Sequence, residues 1–124
     1  MMGAEEHTIA LVDDDASVRR ALQRLLRSHA YKPEVYSSGA EFLSSSADQR
    51  LACVIMDQQM PDLDGLEVLA EMRKRGSDVP VIVITGFDRP GLRERCLEAG
   101  AADYLVKPIS GSTVLAAVRF ATKD

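Results

Sequence analysis

The sequence predicts an α/β fold, a doubly wound five-stranded parallel sheet with five helices. Three observations carry this. Short apolar runs alternate with helically spaced segments along the whole 124-residue chain. The runs read as continuous apolar stretches rather than in period-two alternation, which is the pattern of strands buried on both faces. Right-handed crossovers turn such an alternation into a sheet covered by helices on both sides. A chain of this length organises around one core, so residues 1–124 are expected to form one domain.

The elements follow in order. Thr8 to Val12 is a short apolar run ending in three aspartates, and Val18, Ala21, Leu22, Leu25 and Leu26 then recur at helical spacing. Tyr31 to Tyr36 is short and β-prone. Ser38-Gly39-Ala40-Glu41 has the spacing of a capping box opening a brief helix through Leu43, which the serines Ser44 to Ser46 end. Ala52 to Met56 is an apolar run stopping at Asp57, and Asp62-Leu63-Asp64-Gly65 leads into a helix with Leu66, Leu69 and Met72 on one face. Val79 to Ile84 is the most β-branched run and ends at Thr85-Gly86. A helix from about Pro90 closes at Gly100, whose lack of a Cβ suits a C-terminal cap. Ala102 to Val106 forms the fifth strand, and Ser112 to Thr122 the last helix, with Val114, Leu115, Val118 and Ala121 facing inward.

Composition narrows the function. With 46% apolar and 27% charged residues the chain has the means to fold alone. The formal charge of −4, with no face-long run of Lys or Arg, argues against direct nucleic-acid binding. Cys53 and Cys96 have neither zinc-site spacing nor the density of a disulfide scaffold, and read as reduced structural thiols. No stretch approaches the ~18 apolar residues needed to cross a bilayer, and Met1 to His7 hold no apolar signal region, so a cytoplasmic protein without a membrane partner is expected. Gly3 stands behind two methionines, so the myristoylation motif is not matched.

Doubly wound sheets place their sites beyond the carboxyl ends of the strands. Those ends carry Asp13, Asp14 and Asp15, then Asp57, Thr85 and Lys107. Taken singly, each is an ordinary turn or cap residue, and Asp15 reads best as the cap of the first helix. Taken together they form a polar rim. Converging carboxylates repel one another, and a hard divalent cation relieves this by taking oxygen ligands. Mg2+ suits an open rim because it keeps several waters and uses one or two carboxylates plus a phosphate. Lys107 and Thr85 supply a compact positive charge and a hydroxyl for phosphoryl oxygens, and a carboxylate can serve as the nucleophile.

These residues resemble a known family, the receiver domains of bacterial two-component signalling. The matching pieces are Val12-Asp13-Asp14-Asp15, Met56-Asp57-Gln58-Gln59-Met60-Pro61-Asp62-Leu63-Asp64-Gly65, Val83-Ile84-Thr85-Gly86 and Ala99-Gly100-Ala101-Ala102-Asp103-Tyr104-Leu105-Val106-Lys107-Pro108. The resemblance covers essentially the whole chain and implies a flavodoxin-like strand order of 2-1-3-4-5. It implies that Asp57 is the phosphoacceptor, Asp14 a direct magnesium ligand, Asp13 a ligand acting largely through water, and Gln59 a ligand through its backbone carbonyl. Thr85 is then the switch hydroxyl, Lys107 the phosphoryl-contacting cation, Tyr104 the aromatic that rotates with phosphorylation, and Lys107-Pro108 a cis peptide. Without the resemblance, Tyr104 reads as a half-buried packing residue with a wet hydroxyl, and Phe87 as either a surface residue or a neighbour of the acceptor.

The implied function is that of a phosphoacceptor taking a phosphoryl group from a histidine kinase or phosphotransfer protein, promoting its own transfer and slow dephosphorylation. The surface of the fourth helix and fifth strand would switch, docking a kinase, an output domain or a second receiver as a homodimer. Gln58-Gln59 departs from charged or asparagine-containing versions common in the family, where the second position after the acceptor tunes phosphoryl lifetime. Val83-Ile84-Thr85-Gly86 and Ala40-Glu41-Phe42-Leu43 look most like regulators with a C-terminal helix-turn-helix output, and the chain ends where a linker to such an output would begin. Three readings compete. A phosphate-ester hydrolase needs a cap or pocket insert, which these short loops do not supply. A docking module that never takes phosphate is opposed by the intact Asp14, Asp57, Thr85 and Lys107. A flavin-binding domain would need a hydroxyl- or glycine-rich cradle after the first strand.

Overall fold

A computed structural model describes residues 7–45 and 50–123 of the chain. Strands β1 (Thr8–Val12), β2 (Lys32–Tyr36), β3 (Leu51–Asp57), β4 (Val81–Thr85) and β5 (Asp103–Val106) alternate with helices α1 (Ala16–Arg27), α2 (Gly39–Ser44), α3 (Gly65–Lys74), α4 (Leu92–Glu98) and α5 (Gly111–Thr122). All strand pairs are parallel and the sheet order is β2-β1-β3-β4-β5, as the resemblance implies. The chain adds β2 on one side of β1 and β3 on the other, so the topological switch point lies between β1 and β3.

The pleat sends alternate residues of each strand to opposite faces. Ala10, Val12, Val54, Met56, Val81 and Val83 pack with α2, α3 and α4 through Phe42, Val68, Leu69, Met72, Leu92 and Cys96. Ile9, Leu11, Cys53, Ile55, Ile82 and Ile84 pack with α1 and α5 through Leu26, Val114, Leu115 and Val118. Each buried Leu, Ile or Val contributes about 1.5–3 kcal/mol of transfer free energy, so two such layers account for continuous apolar strands. The free thiols of Cys53 and Cys96 lie in opposite layers. No described helix is long and apolar enough to cross a membrane.

Local chemistry sets the helix starts. Asp15 caps α1, its Oδ1 accepting from Ser17 N at 2.9 Å and Val18 N at 3.4 Å. Asp64 caps α3 with a complete capping box: it accepts from Glu67 N at 2.8 Å while Glu67 Oε1 accepts from Asp64 N at 2.9 Å. In α2 half the expected box forms. Ser38 accepts from Glu41 N, but the Glu41 carboxylate takes the Ser37 backbone N–H instead of that of Ser38. The helix closes at Ser44, and Ser46 lies outside the described residues.

Several expected boundaries shift by one or two residues, among them the third strand, which runs Leu51–Asp57, the fifth strand, which begins at Asp103, and the last helix, which begins at Gly111; three others have a local cause. The fourth helix begins at Leu92, not near Pro90, because Gly91 sits at φ +83°, a left-handed conformation that a right-handed helix does not contain. The strand expected from Val79 begins at Val81, since Pro80 lacks an N–H and offers only its carbonyl, which Val54 N meets at 2.9 Å. The strand expected from Tyr31 begins at Lys32, because Tyr31 N bonds Leu26 O at 3.0 Å and finishes the turn after α1. Gly100 is the expected cap: at φ +105° it lets Ala101 N reach Cys96 O at 2.9 Å.

Candidate phosphoacceptor and metal site

The sheet register assembles the site. Val12 pairs with Met56, which sets Asp13 and Asp57 side by side across the switch point. Asp57 pairs with Ile84 and Thr85 with Val106, so Thr85 and Lys107 follow on the next two strand ends. Lys107 N donates to Thr85 O at 2.7 Å, tying these ends together, and the Lys107–Pro108 peptide is cis. A one-residue slip between any two strands would turn these side chains to opposite faces.

One carboxylate oxygen each from Asp13, Asp14 and Asp57 lies within 4.8 Å of the others. Asp13 and Asp57 are buried and Asp14 is exposed. Asp13 Oδ1 accepts from Asp15 N at 2.9 Å, whereas the buried Asp13 Oδ2 and Asp57 Oδ1 have no hydrogen-bond donor. Those same two oxygens face Lys107 Nζ, at 3.8 Å and 3.7 Å, close enough for charge attraction but too long for a hydrogen bond. Burial pushes the Asp57 carboxyl up to about 6, with the Asp13 charge adding to the rise, while Lys107 and a backbone hydrogen bond from Gln59 pull it down. Burial likewise raises Asp13. Clustered, partly desolvated carboxylates with orphaned oxygens form a donor set that fits a hard divalent cation such as Mg2+.

Thr85 is fully buried. Its Oγ1 accepts from Phe87 N at 3.0 Å and donates to Gln59 Oε1 at 2.8 Å, so the hydroxyl is held by the Gln59 amide and not by Asp57. Phe87 is 71% exposed and borders a cleft of about 620 Å³ beside the site, together with Asp14, Gln59, Met60 and Arg89. Tyr104 departs from the reading of a half-buried ring with a wet hydroxyl. It pairs with Val83, two residues inside the strand end, so its ring enters the core layer under α4 at 4% exposure. Its hydroxyl donates to Asp88 Oδ1 at 2.8 Å, and burial with the Asp88 charge raises the phenol well above its usual range.

Sequence reasoning did not foresee the roles of Gln58, Gly65, Arg19 and Asp88 around the site, nor that of Arg73 away from it. Gln58 is buried, and its Oε1 accepts from Leu66 N at 2.9 Å while its carbonyl accepts from Gly65 N at 3.0 Å, clamping the loop after Asp57 to the start of α3. That clamp needs Gly65: an added Cβ would lie 2.8 Å from Asp57 O. Arg19 Nη1 donates to Asp13 O at 2.6 Å, holding the acidic loop from α1. Asp88 anchors Tyr104, and Arg73 joins Ser77 O, Val79 O and Gly100 O at the opposite rim. Their only sequence signal is a polar residue in a loop or helix, which does not announce a distant backbone partner.

Comparison with known proteins agrees with this fold. The family model of the response regulator receiver domain matches residues 9–119. The response regulator MprA of Mycobacterium sp. (strain KMS) is 42% identical over 111 residues, covering 90% of this chain and 48% of that protein. The chain thus spans about half the length of the curated relatives it matches. Among solved structures, FixJ-N superposes with a TM-score of 0.88 at 28% identity, covering 97% of this chain and 96% of the other. The response regulator StyR superposes with a TM-score of 0.89 at 28% identity, covering 96% of this chain and 60% of the other.

Proposed function

Since the chain belongs to the response regulator receiver family of two-component signalling, we propose that it is a phosphoacceptor switch in which Asp57 takes a phosphoryl group from a histidine kinase or phosphotransfer protein. One observation carries the reading: Asp57, buried at the switch point and clustered with Asp13 and Asp14, has an oxygen without a hydrogen-bond donor that lies 3.7 Å from Lys107 Nζ. Asp13, Asp14, Asp57 and the Gln59 carbonyl would hold Mg2+. The bound cation neutralises charge on the carboxylates and the incoming phosphoryl group.

An Asp57 oxygen forms the new O–P bond as the N–P bond of the donor phosphohistidine breaks, and the electron pair stays on the donor nitrogen, which takes a proton. Lys107, near both Asp13 and Asp57, places positive charge beside the oxygens that gain charge. The phosphoryl group carries about 1.5–2 negative charges where Asp57 had at most one, and its oxygens draw the Thr85 hydroxyl inward by a charge-assisted hydrogen bond. Thr85 and Tyr104 then favour a second packing, and α4 with β5 presents an altered face. The exposed Leu97 and Val106 lie on that face, where an output domain or a second copy would dock. The protein is cytoplasmic on this reading, residues 1–124 are its receiver domain, the output is transcriptional, and dephosphorylation by water is slow. This domain itself makes no contact with nucleic acid.

Intact mass spectrometry after incubation with acetyl phosphate and Mg2+ tests the proposal. Wild type gains one phosphoryl group, while Asp57→Ala and wild type in excess chelator do not. Equal labelling of Asp57→Ala removes Asp57 as the acceptor. Hydrogen exchange with and without beryllofluoride reads the switch, and unchanged protection across residues 90–106 refutes the α4–β5 output.

A further inference from the structure

The hydrogen bonds of Thr85 leave it no proton to spare. A threonine hydroxyl has one proton. In this structure the Phe87 N–H occupies an acceptor lone pair, and the proton is directed at Gln59 Oε1, 2.8 Å away. An amide oxygen only accepts, and so does a phosphoryl oxygen, so the same proton cannot serve both. Thr85 is fully buried, so no surrounding solvent offers an easy alternative partner. The Gln59 backbone N–H also favours the charged form of the Asp57 carboxylate. One residue therefore acts on both the acceptor and the switch hydroxyl.

We propose that Gln59 is a positioning residue for the switch: its side-chain oxygen holds the Thr85 hydroxyl in the unphosphorylated state, and phosphorylation must take that proton from Gln59 before Thr85 can turn to Asp57. The inference rests on the phosphoacceptor reading above and adds a threshold to it. A bond to a phosphoryl oxygen is charge-assisted and roughly twice as strong as a neutral one, so the exchange runs forward. The lost Gln59 bond is subtracted from it, and the fraction of protein that switches for a given occupancy of Asp57 is lowered accordingly. The glutamine amide spans the distance from the loop after β3 to the end of β4, meeting the Thr85 hydroxyl at 2.8 Å.

The test uses methyl-labelled threonine in the full chain and follows the Thr85 methyl signal by NMR, first without metal or mimic and then through a titration with beryllofluoride and Mg2+. Gln59→Met keeps the length and the backbone carbonyl but has no amide oxygen. Its Thr85 signal in the unliganded protein should lie displaced from wild type toward the mimic-bound position, and half-saturation should need about threefold less beryllofluoride, the scale of one net hydrogen bond. Gln59→Leu, also without an acceptor, should show the same displacement. Gln59→Glu restores an oxygen at the same reach and should return the unliganded signal to the wild-type position. If wild type responds to the mimic while Gln59→Met has the wild-type signal and half-saturation, the Gln59 inference is overturned and the phosphoacceptor reading stands. If wild type itself does not respond, and acetyl phosphate does not label Asp57, both are overturned.

Discussion

Replacing Asp57 with Asn should stabilise the metal-free protein at neutral pH even though it removes the proposed acceptor. Burial, reinforced by the Asp13 charge, raises the Asp57 carboxyl from 3.8 to about 6. The folded chain therefore holds that proton more tightly than the unfolded chain does. Stability falls as pH rises from 3.8 to about 6, and the loss is complete above that window. At about 1.36 kcal/mol per pH unit, the interval between 3.8 and about 6 corresponds to about 3 kcal/mol. The amide of Asn is nearly isosteric, carries no charge and keeps an oxygen for the Gln59 N–H. Lys107 loses one of its two carboxylate neighbours, which offsets part of the gain, so the expected net is about 2 kcal/mol, or on the order of 5–8 °C in Tm for a domain of this size. Urea or thermal unfolding in chelator, from about pH 4 to about pH 8, measures it. The advantage of Asp57→Asn should be largest above about pH 7 and close toward pH 4. Saturating Mg2+ should reverse the order, since a ligand at 100 times its Kd stabilises the folded state by about 2.7 kcal/mol and wild type offers the more complete ligand set. An Asp57→Asn protein no more stable than wild type at about pH 7.5, or an advantage that persists undiminished at pH 4, refutes the argument from burial and repulsion.

Lys107→Ala removes the charge that pulls Asp57 down, so the Asp57 titration midpoint, read by carbon NMR of its carboxyl, should move further above about 6; an unchanged or lower midpoint shows that Lys107 does not act on Asp57 through charge. The same variant should bind Mg2+, because the carboxylates remain, yet fail to change hydrogen-exchange protection across residues 90–106 when phosphorylated; a wild-type response would remove Lys107 from the signalling path. Far from the site, Arg73→Ala leaves Ser77 O, Val79 O and Gly100 O without their donor and should cost about 1–3 kcal/mol in urea unfolding, with Arg73→Lys recovering only part of it because an ammonium cannot fork between them.

The order and kind of all ten elements, and the rim where chemistry would gather, are legible in the chain. Apolar runs such as Val81 to Ile84 and caps such as Asp15 and Asp64 act within a few residues of themselves, so their meaning does not depend on distant neighbours. Asp13, Asp57, Thr85 and Lys107 could each be placed at a strand end for the same reason. Only the fold decided what those side chains do to one another. The register of Val12 on Met56 sets two carboxylates together and orphans two of their oxygens. The Thr85 hydroxyl goes to Gln59, 26 residues away in sequence. Tyr104 turns into the core because it faces Val83, and it finds Asp88 there. Local periodicity and capping are short-range physics written in consecutive residues. The raised Asp57 carboxyl, the single proton of Thr85 and the buried phenol of Tyr104 depend on desolvation and on partners across strands, and those exist only once the sheet has closed.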